Sequence, residues 1–373
     1  MLTNPQRHFA KLPDPRRTTR NKLHKLEDIV MITLCAVLCG HEDWVSIEDF
    51  ASVQESWLRG FLELPNGIPS HDTLSDVMGR IDKEAFGEAF ADWVSEVLLG
   101  EQQVALDGKA LRGSANAGEG AVHLMSAFAT DARLVLGIQA VADKSNEITA
   151  IPKLLAQLEL AGAIVTIDAM GCQKSVAQDI VRRKADYVLA LKGNHPALHE
   201  DVSLWLDDCD AQGHVHQIQS VEKDHGRIES RRVAVSTDLD WLAEKQQWAG
   251  LKAVAMVEST REIRNKVSIE RRYYLSSISD PQRIATAIRQ HWLIENQQHW
   301  VLDVQFGDDA HRARKNHSAA NLGIIRRAAL NMLRANDDSP ISMKRRKMRA
   351  SYNQVYRETD SLWLATDYIA RLP

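Results

Sequence analysis

The chain contains little cysteine, and the four cysteines form no metal or redox pattern. Cys35, Cys39, Cys172 and Cys209 make no CxxC pair and show no zinc-ligand spacing. Cys35 and Cys39 lie one helical turn apart in an apolar stretch, which is typical of small core residues. The pattern excludes a disulfide framework and a zinc finger. It also indicates a reducing compartment such as the cytoplasm.

Long hydrophobic runs are also missing. The longest apolar run, residues 29–40, is shorter than the roughly 20 residues that a membrane-spanning helix needs. The N-terminus is polar and lacks the apolar segment of a secretory signal. We therefore expect no membrane partner, and the composition of 44% hydrophobic and 26% charged residues is typical of a soluble globular protein.

The chain has no strong excess of either charge, since its net charge is -4 over 373 residues. Its basic residues are nevertheless clustered, within residues 16–25, 312–315 and 344–349. The distribution of charge says more about partners than the sum does. One such cluster is usually a solvated surface, but three in one soluble chain favour a role in binding phosphates.

The first hundred residues predict an all-helical domain that follows a basic arm. The arm covers residues 1–25, and a buried helix follows from Leu26 to about Gly40 because the stretch is too apolar for a surface helix. Two interpretations stay open: a packing or dimerisation bundle, or a domain that recognises a DNA end. The remaining helices are predicted at residues 46–64, from after residues 70–73 to about residue 80, and from residue 82 or 83 to residue 99.

From residue 104 the hydrophobic period changes, and the order of elements becomes βββαβαβ. Short apolar runs bounded by turn residues predict strands, and longer amphipathic runs predict helices. This order predicts a mixed α/β fold, with a mixed sheet flanked by helices. Strands are predicted at residues 104–112, 121–130, 133–143, 163–169 and 186–194, and helices at residues 147–160 and 173–185.

Residues 195–280 interrupt this order and predict a strand-rich insertion. A helix near residues 195–207 leads into alternating apolar and polar stretches, which are typical of half-buried strands. Beyond the insertion, residues 281–304 and 317–334 predict long helices, and residues 336–373 a basic and then irregular tail. The four alternating stretches are residues 214–221, 229–237, 251–258 and 267–276.

Two acids end short apolar strands of the predicted sheet. Asp107 follows the run VAL, and Asp168 follows the run IVTI. The first and fourth strands of such a sheet can lie side by side, which would bring the two carboxylates together. A buried carboxylate is costly unless it is paired or holds a metal. An ion pair of Asp107 with Lys109 or Arg112 is the alternative.

A third acid, Glu295, lies in the middle of an apolar helix. Trp292, Glu295 and His299 are spaced so that they share one face of that helix. Three carboxylates from two strand ends and one helix suit Mg²⁺ or Mn²⁺, which prefer oxygen ligands. Two such ions about 3.5–4 Å apart support phosphodiester chemistry.

Several motifs together resemble the DDE transposases of bacterial insertion sequences, in the branch of the H-repeat-associated proteins. The likeness also takes in residues 12–17, 28–40 and 321–333, so it covers nearly the whole chain. The motifs are VALDGKALRG (104–113), TIDAMGCQK (166–174), YVLALKGN (187–194), HGRIE (225–229) and HWLIENQQHWVLD (291–303).

The resemblance implies a DNA transposase that uses Asp107, Asp168 and Glu295 as a catalytic triad holding two Mg²⁺ (or Mn²⁺) ions. It implies an RNase H-like catalytic domain (101–194 and 281–335), a β-rich insertion (195–280), a helical N-terminal domain (1–100) and a basic tail (336–373). The implied partners are terminal inverted repeats and target DNA, bound by a homodimer. The implied location is the bacterial cytoplasm, at the nucleoid.

One departure from the wider superfamily concerns the helix of the glutamate. Many relatives carry a tyrosine seven residues before it, an arginine four before it and a lysine seven after it. Here those positions hold Ile288, His291 and Leu302. The phosphate-holding role of that signature therefore does not transfer intact, and His291 either contacts phosphate or packs the helix.

Further side chains are candidates for DNA contacts. Each has an ordinary alternative, such as an ion pair, a plain turn or a surface turn. We expect Trp292 and Trp300 to pack in the core rather than stack on bases, and Cys172 to be a core residue. The candidates for DNA contacts are Lys109, Arg112, Lys192, Asn194, His225, Arg227, His291, Arg312 and Arg314.

Three functions remain open at this point. The first is a transposase that cleaves DNA and transfers strands. The second is a transposase-derived DNA-binding protein without catalysis, which metal binding would separate from the first. The third is a metal-dependent nuclease without strand transfer, which a strand-transfer assay with pre-cleaved ends would separate.

Overall fold

The computed structural model describes residues 2–18, 22–97, 102–116, 120–141, 147–224, 227–263, 266–335 and 339–358. The chain divides into two compact units. Unit 1 comprises Met1–Leu99, Gly108–Leu158 and Glu295–Pro373, and unit 2 comprises Gly100–Asp107 and Glu159–Ile294. Two of the predicted acids stand where the chain changes unit, because Asp107 ends a segment of unit 2 and Glu295 begins a segment of unit 1.

Unit 1 begins with the helices α1 (Gln6–Phe9), α2 (Leu26–Leu38), α3 (Trp44–Val53), α4 (Glu55–Leu58), α5 (His71–Arg80) and α6 (Lys83–Ser95). The side chains of Asp43, Ser70 and Asp82 cap α3, α5 and α6 by accepting a hydrogen bond from a first-turn N–H. The predicted single helix over residues 46–64 is wrong, because Gln54 leaves helical geometry (φ -98°, ψ 12°) and separates α3 from α4.

The sheet portion of unit 1 is built from the end of β1 (Gln103–Leu111), β2 (Val122–Ala129) and β3 (Leu134–Val141), in the order β3-β2-β1. β2 and β3 form an antiparallel hairpin. Two helices, α7 (Glu147–Ala156) and α12 (Ser318–Ala335), pack against it. The Asn331 side chain ties α12 to β3 by bonding the N–H and the carbonyl of Val135 at 2.9 and 2.8 Å.

Unit 2 contains the start of β1 and six more strands in the order β1-β4-β5-β9-β8-β7-β6. β1, β4 and β5 are parallel, and the others pair antiparallel. The predicted mixed α/β architecture is therefore confirmed, as is the pairing of the first strand with the fourth. The strands are β4 (Ile164–Ile167), β5 (Asp186–Leu191), β6 (His216–Asp224), β7 (Arg227–Ser236), β8 (Ala253–Ile263) and β9 (Lys266–Ser276).

Three helices of unit 2 complete its layers: α8 (Lys174–Arg182), α9 (Pro196–Ala211) and α10 (Pro281–His291). The apolar face of α10, with Ile284 and Ile288, packs on valines and alanines of the sheet such as Val188, Val235 and Ala255. This core fixes the end of α10, and therefore the start of the segment that leads to Glu295.

The basic tail is more ordered than its sequence predicts. Residues 343–358 form α13 (Met343–Tyr352) and α14 (Gln354–Glu358), so the expectation of an irregular tail is wrong there. Lys347 is buried, with its Nζ 2.9 Å from Glu42 Oε1 and 4.2 Å from the Phe306 ring centre. Within the described residues, no helix is both long and apolar enough to cross a membrane.

Candidate active site

Asp107 and Asp168 directly follow the last paired residues of the parallel β1–β4 ladder in unit 2. The prediction that Asp107 ends its strand is wrong, because β1 continues to Leu111, whereas Asp168 follows the end of β4. Leu106 and Ile167 are direct partners in the parallel β1–β4 ladder, and each acid is the next residue along the chain. Both acids are partly exposed. In α/β sheets, ligands bind beyond the carboxyl ends of the parallel strands, so this pair of positions suits ligands for a cation.

Asp168 also shapes the turn that follows it. Its Oδ1 accepts hydrogen bonds from the N–H groups of Met170 (3.1 Å) and Gly171 (3.4 Å), which caps a 3₁₀ turn. The Asn194 side chain, just beyond β5, donates to the carbonyl of Ala169 in the same turn at 2.7 Å. The Asp168 carboxylate is therefore held in orientation by its own backbone, and Asn194 supports that turn.

The end of α10 is tied to the strands that carry the two aspartates. His291 Nδ1 lies 2.9 Å from Thr166 Oγ1 on β4. Gln103 on β1 donates both to Thr166 Oγ1 (3.2 Å) and to the Ala287 carbonyl of α10 (2.7 Å). His291 thus makes the packing contact that the sequence left open beside a phosphate contact.

Glu295 lies in a π-helical turn (Ile294–His299), which separates α10 from α11 (Trp300–Phe306). The prediction that residues 281–304 are helical is confirmed, and the π turn within them is a feature that the sequence did not indicate. Glu295 Oε2 lies 3.0 Å from Nδ1 of His299. This hydrogen bond lowers the pKa of Glu295, against the opposing effect of burial, and the Lys109 charge lowers it further. Glu295 is therefore ionised at neutral pH.

Lys109 is buried and held by two other carboxylates of unit 1. Its Nζ lies 2.8 Å from Asp303 Oδ2 and 3.5 Å from Asp309 Oδ1. For Lys109, the sequence left an ion pair open as the alternative to a DNA contact. That ion pair exists, and its partners are Asp303 and Asp309. The sequence offered no signal for Asp303 and Asp309 beyond their acidity, because both lie about 200 residues from Lys109.

Three arginines lie on two segments of unit 1 that pack together, the end of β1 and the loop between α11 and α12. Arg112, Arg312 and Arg314 are exposed. The backbone holds their positions, since Gly113 N–H donates to the Asp309 carbonyl (3.0 Å) and Arg314 Nε donates to the Gly113 carbonyl (3.2 Å). Arg112 lies 3.6 Å from Asp309, yet 83% of its side chain is exposed.

The other candidates for DNA contacts lie in unit 2. Lys192 is exposed just after β5. Arg227 is the first residue of β7, opposite Asp224 on β6, and His225 lies outside the described residues. Of the cysteines, Cys172 is buried, and burial raises the pKa of its thiol to about 12, which confirms it as a core residue.

Two tryptophans near Glu295 are exposed, so the expectation that they pack in the core is wrong. Trp292 is 41% exposed and Trp300 is 57% exposed. The Arg272 guanidinium stacks on the Trp292 ring, with 4.7 Å between its Cζ and the ring centre. The buried positions of this segment are instead Ile294, Gln298 and His299, because the π turn rotates the later residues away from the α-helical pattern.

Comparison with known families gives the chain its class. The family described as "Transposase DDE domain" matches residues 99–332, and the domain associated with it matches residues 6–94. The chain belongs to the DDE transposase family. The resemblance that its motifs indicated is therefore confirmed.

Named relatives of this DDE transposase agree. Protein YncI of Escherichia coli O157:H7, named as a candidate transposase, is 39% identical and covers 94% of this chain and 92% of its own. The H repeat-associated protein YhhI of E. coli K12, named likewise, is 38% identical over 92% of this chain and 93% of its own. An uncharacterized protein of Xanthobacter autotrophicus is 50% identical over 75% of this chain and 97% of its own.

A solved structure also matches the DDE transposase, although weakly. The cryo-EM structure of a piggyBac transposase synaptic complex with hairpin DNA has a TM-score of 0.43 and 10% identity, over 99% of this chain and 79% of that chain. A likeness of that degree supports no statement about this chain.

At the three positions where the wider superfamily carries its tyrosine, arginine and lysine, this chain has residues that pack inside the protein. Ile288 and Leu302 are buried, and His291 is bonded to β4. Sequence reasoning placed His299 on the face of Glu295 but missed its hydrogen bond to that acid.

Proposed function

We propose that this transposase cleaves DNA at the ends of an insertion sequence and transfers the 3′ ends to a target, with Asp107, Asp168 and Glu295 as its metal-binding carboxylates. The observation that carries the proposal is that Asp107 and Asp168 directly follow Leu106 and Ile167, the last paired residues of the parallel β1–β4 ladder. Family membership supplies the DNA substrate class. Glu295 is added from its place in the motif and from its ionised state.

The donor groups suit two Mg²⁺ or Mn²⁺ ions. All three proposed ligands are carboxylates, and hard divalent cations prefer oxygen. Asp168 Oδ1 accepts hydrogen bonds from the backbone N–H groups of Met170 and Gly171, which restrains the carboxylate without neutralising its charge. When bound, such ions lower the pKa of a nucleophile and stabilise charge on a leaving oxygen in phosphodiester chemistry.

The side chains of the protein itself position the DNA. We propose that Arg112, Arg312 and Arg314 bind backbone phosphates, because they are exposed on a loop that the backbone of β1 holds in place. Lys192, Arg227 and His225 are proposed contacts in unit 2. Lys109, Asn194 and His291 each bind another group of the protein. We propose that supporting the site is their main role and that contact with phosphate is secondary.

The domain organisation remains part of the proposal. An RNase H-like catalytic domain would comprise residues 101–194 and 281–335, with the insertion at residues 195–280 and the helical domain at residues 1–100. The βββαβαβ order and the parallel β1-β4-β5 arrangement support it. We also propose a homodimer on DNA, because transposition requires two ends to be held together.

Substitution of Asp107 and Asp168, the two acids that follow the β1–β4 ladder, tests this function. We expect Asp107→Asn and Asp168→Asn each to abolish Mg²⁺-dependent cleavage of the DNA ends that flank the gene, and to reduce Mn²⁺ binding in calorimetry, because each removes an ionised ligand. Asp186→Asn is the matched control, because Asp186 is the first residue of β5 and lies at the other end of the parallel strands. This variant should retain both DNA cleavage and Mn²⁺ binding.

Retained cleavage in Asp107→Asn would refute the assignment. A wild-type protein that binds the DNA ends but neither Mn²⁺ nor Mg²⁺ would instead support the DNA-binding protein without catalysis. Pre-cleaved ends separate the remaining alternative, since a nuclease cuts DNA but joins no 3′ end to a target.

A further inference from the structure

We propose that His299 is a positioning residue that holds the Glu295 carboxylate ready for metal binding. The inference rests on the proposed function, because it assigns a support to one of the proposed ligands. It adds a residue to the site on the grounds of its contacts alone. The surroundings of both residues within unit 1 carry the argument.

The two side chains differ sharply in exposure. His299 is buried, with 4% of its side chain exposed, whereas 58% of the Glu295 side chain is exposed. An exposed glutamate samples several rotamers, and fixing it in one of them costs conformational entropy. Glu295 Oε2 accepts a hydrogen bond from the His299 ring at 3.0 Å, which restricts that freedom before a metal binds. A ligand arranged in this way binds with a smaller loss of entropy.

The backbone that joins the pair is held as well. The π turn contains both residues, and the Arg334 guanidinium of α12 donates to the Gln297 carbonyl within it. The same guanidinium donates to the Arg133 carbonyl at 2.8 Å. The turn is therefore fastened to the rest of unit 1, so the His299 ring is a fixed support. Isolated π turns inside α-helices are frequent at functional sites.

A direct metal contact by His299 is the competing role. An imidazole ligand favours softer or borderline metals such as Zn²⁺, whereas an all-carboxylate set favours Mg²⁺ and Mn²⁺. In the structure Nδ1 is engaged by Glu295, as expected for a group that orients a ligand. Groups that orient ligands in this way typically account for 10–100-fold in metal affinity or activity.

The test measures Mn²⁺ binding and DNA cleavage in the full chain. We expect His299→Ala to weaken Mn²⁺ binding by roughly 10-fold or more and to lower kcat, with the KM for DNA unchanged. His299→Gln, which can still donate to Glu295, should recover part of the loss. His71→Ala is the matched control, because His71 forms a similar pair with Glu48 at 2.6 Å, and it should bind Mn²⁺ like the wild type.

A double-mutant cycle separates positioning from mere structural support. In the Glu295→Gln background, His299→Ala should change Mn²⁺ affinity by less than about 2-fold, because the group it positions is gone. Pulsed EPR of Mn²⁺ on the wild type should show no directly coordinated ¹⁴N. A coordinated ¹⁴N that disappears in His299→Gln would overturn the proposal in favour of a ligand role.

The failure of this proposal is distinguishable from the failure of the proposed function. Suppose that the wild type binds Mn²⁺ and that Asp168→Asn does not bind it. If both His299 variants then bind Mn²⁺ as tightly as the wild type, only the role of His299 is refuted. If the wild type itself binds no Mn²⁺, the proposed function falls first. Should His299→Ala fail to fold, His299→Gln and the spectrum of the wild type decide the question.

Discussion

At the scale of single residues, unit 1 keeps several charges away from water. Asp308, Arg326 and Arg327 are almost fully buried, and each arginine contacts a different oxygen of Asp308, at 3.1 and 3.4 Å. Burial alone would raise the pKa of Asp308, but the two arginines lower it. A buried ion group of this kind specifies one arrangement more than it adds stability, because desolvation offsets the attraction.

Exposed arginines serve a different purpose, and Arg312 tests it. We expect Arg312→Ala to weaken binding of the flanking DNA ends and to reduce the slope of log K against log salt by about 1, because one phosphate contact is lost. Fluorescence anisotropy over a KCl series measures the slope. Arg182→Ala, an equally simple loss of a surface arginine on α8, should leave it unchanged.

An unaltered slope in Arg312→Ala would remove this residue from the DNA interface. The same series with Arg112→Ala and Arg314→Ala would show whether the other two arginines contribute. The three substitutions leave the candidate metal ligands in place, so the cleavage chemistry at saturating DNA should persist.

At the scale of elements, the structure depends on how the end of β1 docks on the α11–α12 loop. Gly113 is the point of closest approach, since a Cβ there would lie 2.8 Å from the Asp309 carbonyl oxygen and closer still to that of His311. Only a residue without a side chain allows the two backbones to bond at this distance.

Gly113→Ala should therefore destabilise the protein, by roughly 1–3 kcal/mol for an overpacked contact. Chemical denaturation measures the loss. Gly120→Ala is the matched control, because nothing lies within 4 Å of a Cβ at that position. Equal stability of the two variants would show that the loop can move away from β1 at little cost.

At the scale of the whole molecule, stability should depend on pH through His311. Burial, together with the nearby charge of Arg326, lowers the pKa of His311 to about 4. Its ring is suited to the neutral form, since Nδ1 accepts the Ala313 N–H (2.9 Å) while Nε2 lies 2.8 Å from the Glu42 carbonyl. Protonation would place a proton on Nδ1, where the Ala313 N–H already points.

The folded protein thus disfavours the charged ring, whereas the unfolded chain protonates near pH 6.5. The contribution of His311 is fully present above about pH 6.5 and is lost progressively as the pH falls to about 4. The loss should be on the order of 3 kcal/mol. Denaturant unfolding at pH 7.5 and pH 4.5 measures it, and His311→Gln should flatten the dependence. A dependence that is equally steep in that variant would assign the effect to other groups.

The sequence by itself determined that β1 and β4 are strands that can lie side by side, and which acids follow their apolar runs. Apolar runs and the residues that bound them are local signals, so β1 and β4 could be predicted, with Asp168 at the end of β4, whereas β1 continues beyond Asp107 to Leu111. The motifs around those acids also sufficed to indicate the family. The strands and the motifs depend only on residues that are close together in the sequence. The placement of the first strand beside the fourth follows from the βββαβαβ order of the elements.

Only the tertiary structure decided which side chains meet. The π turn that contains Glu295 is held by Arg334 of α12, which donates to its Gln297 carbonyl, and no local sequence pattern indicates this turn or this contact. Lys109 forms an ion pair with Asp303, which lies 194 residues away in the sequence. His299 is buried, although the sequence pattern favoured Trp300 as the core residue. Long-range packing selects among local options of nearly equal free energy, so these contacts could not be predicted from the residues alone.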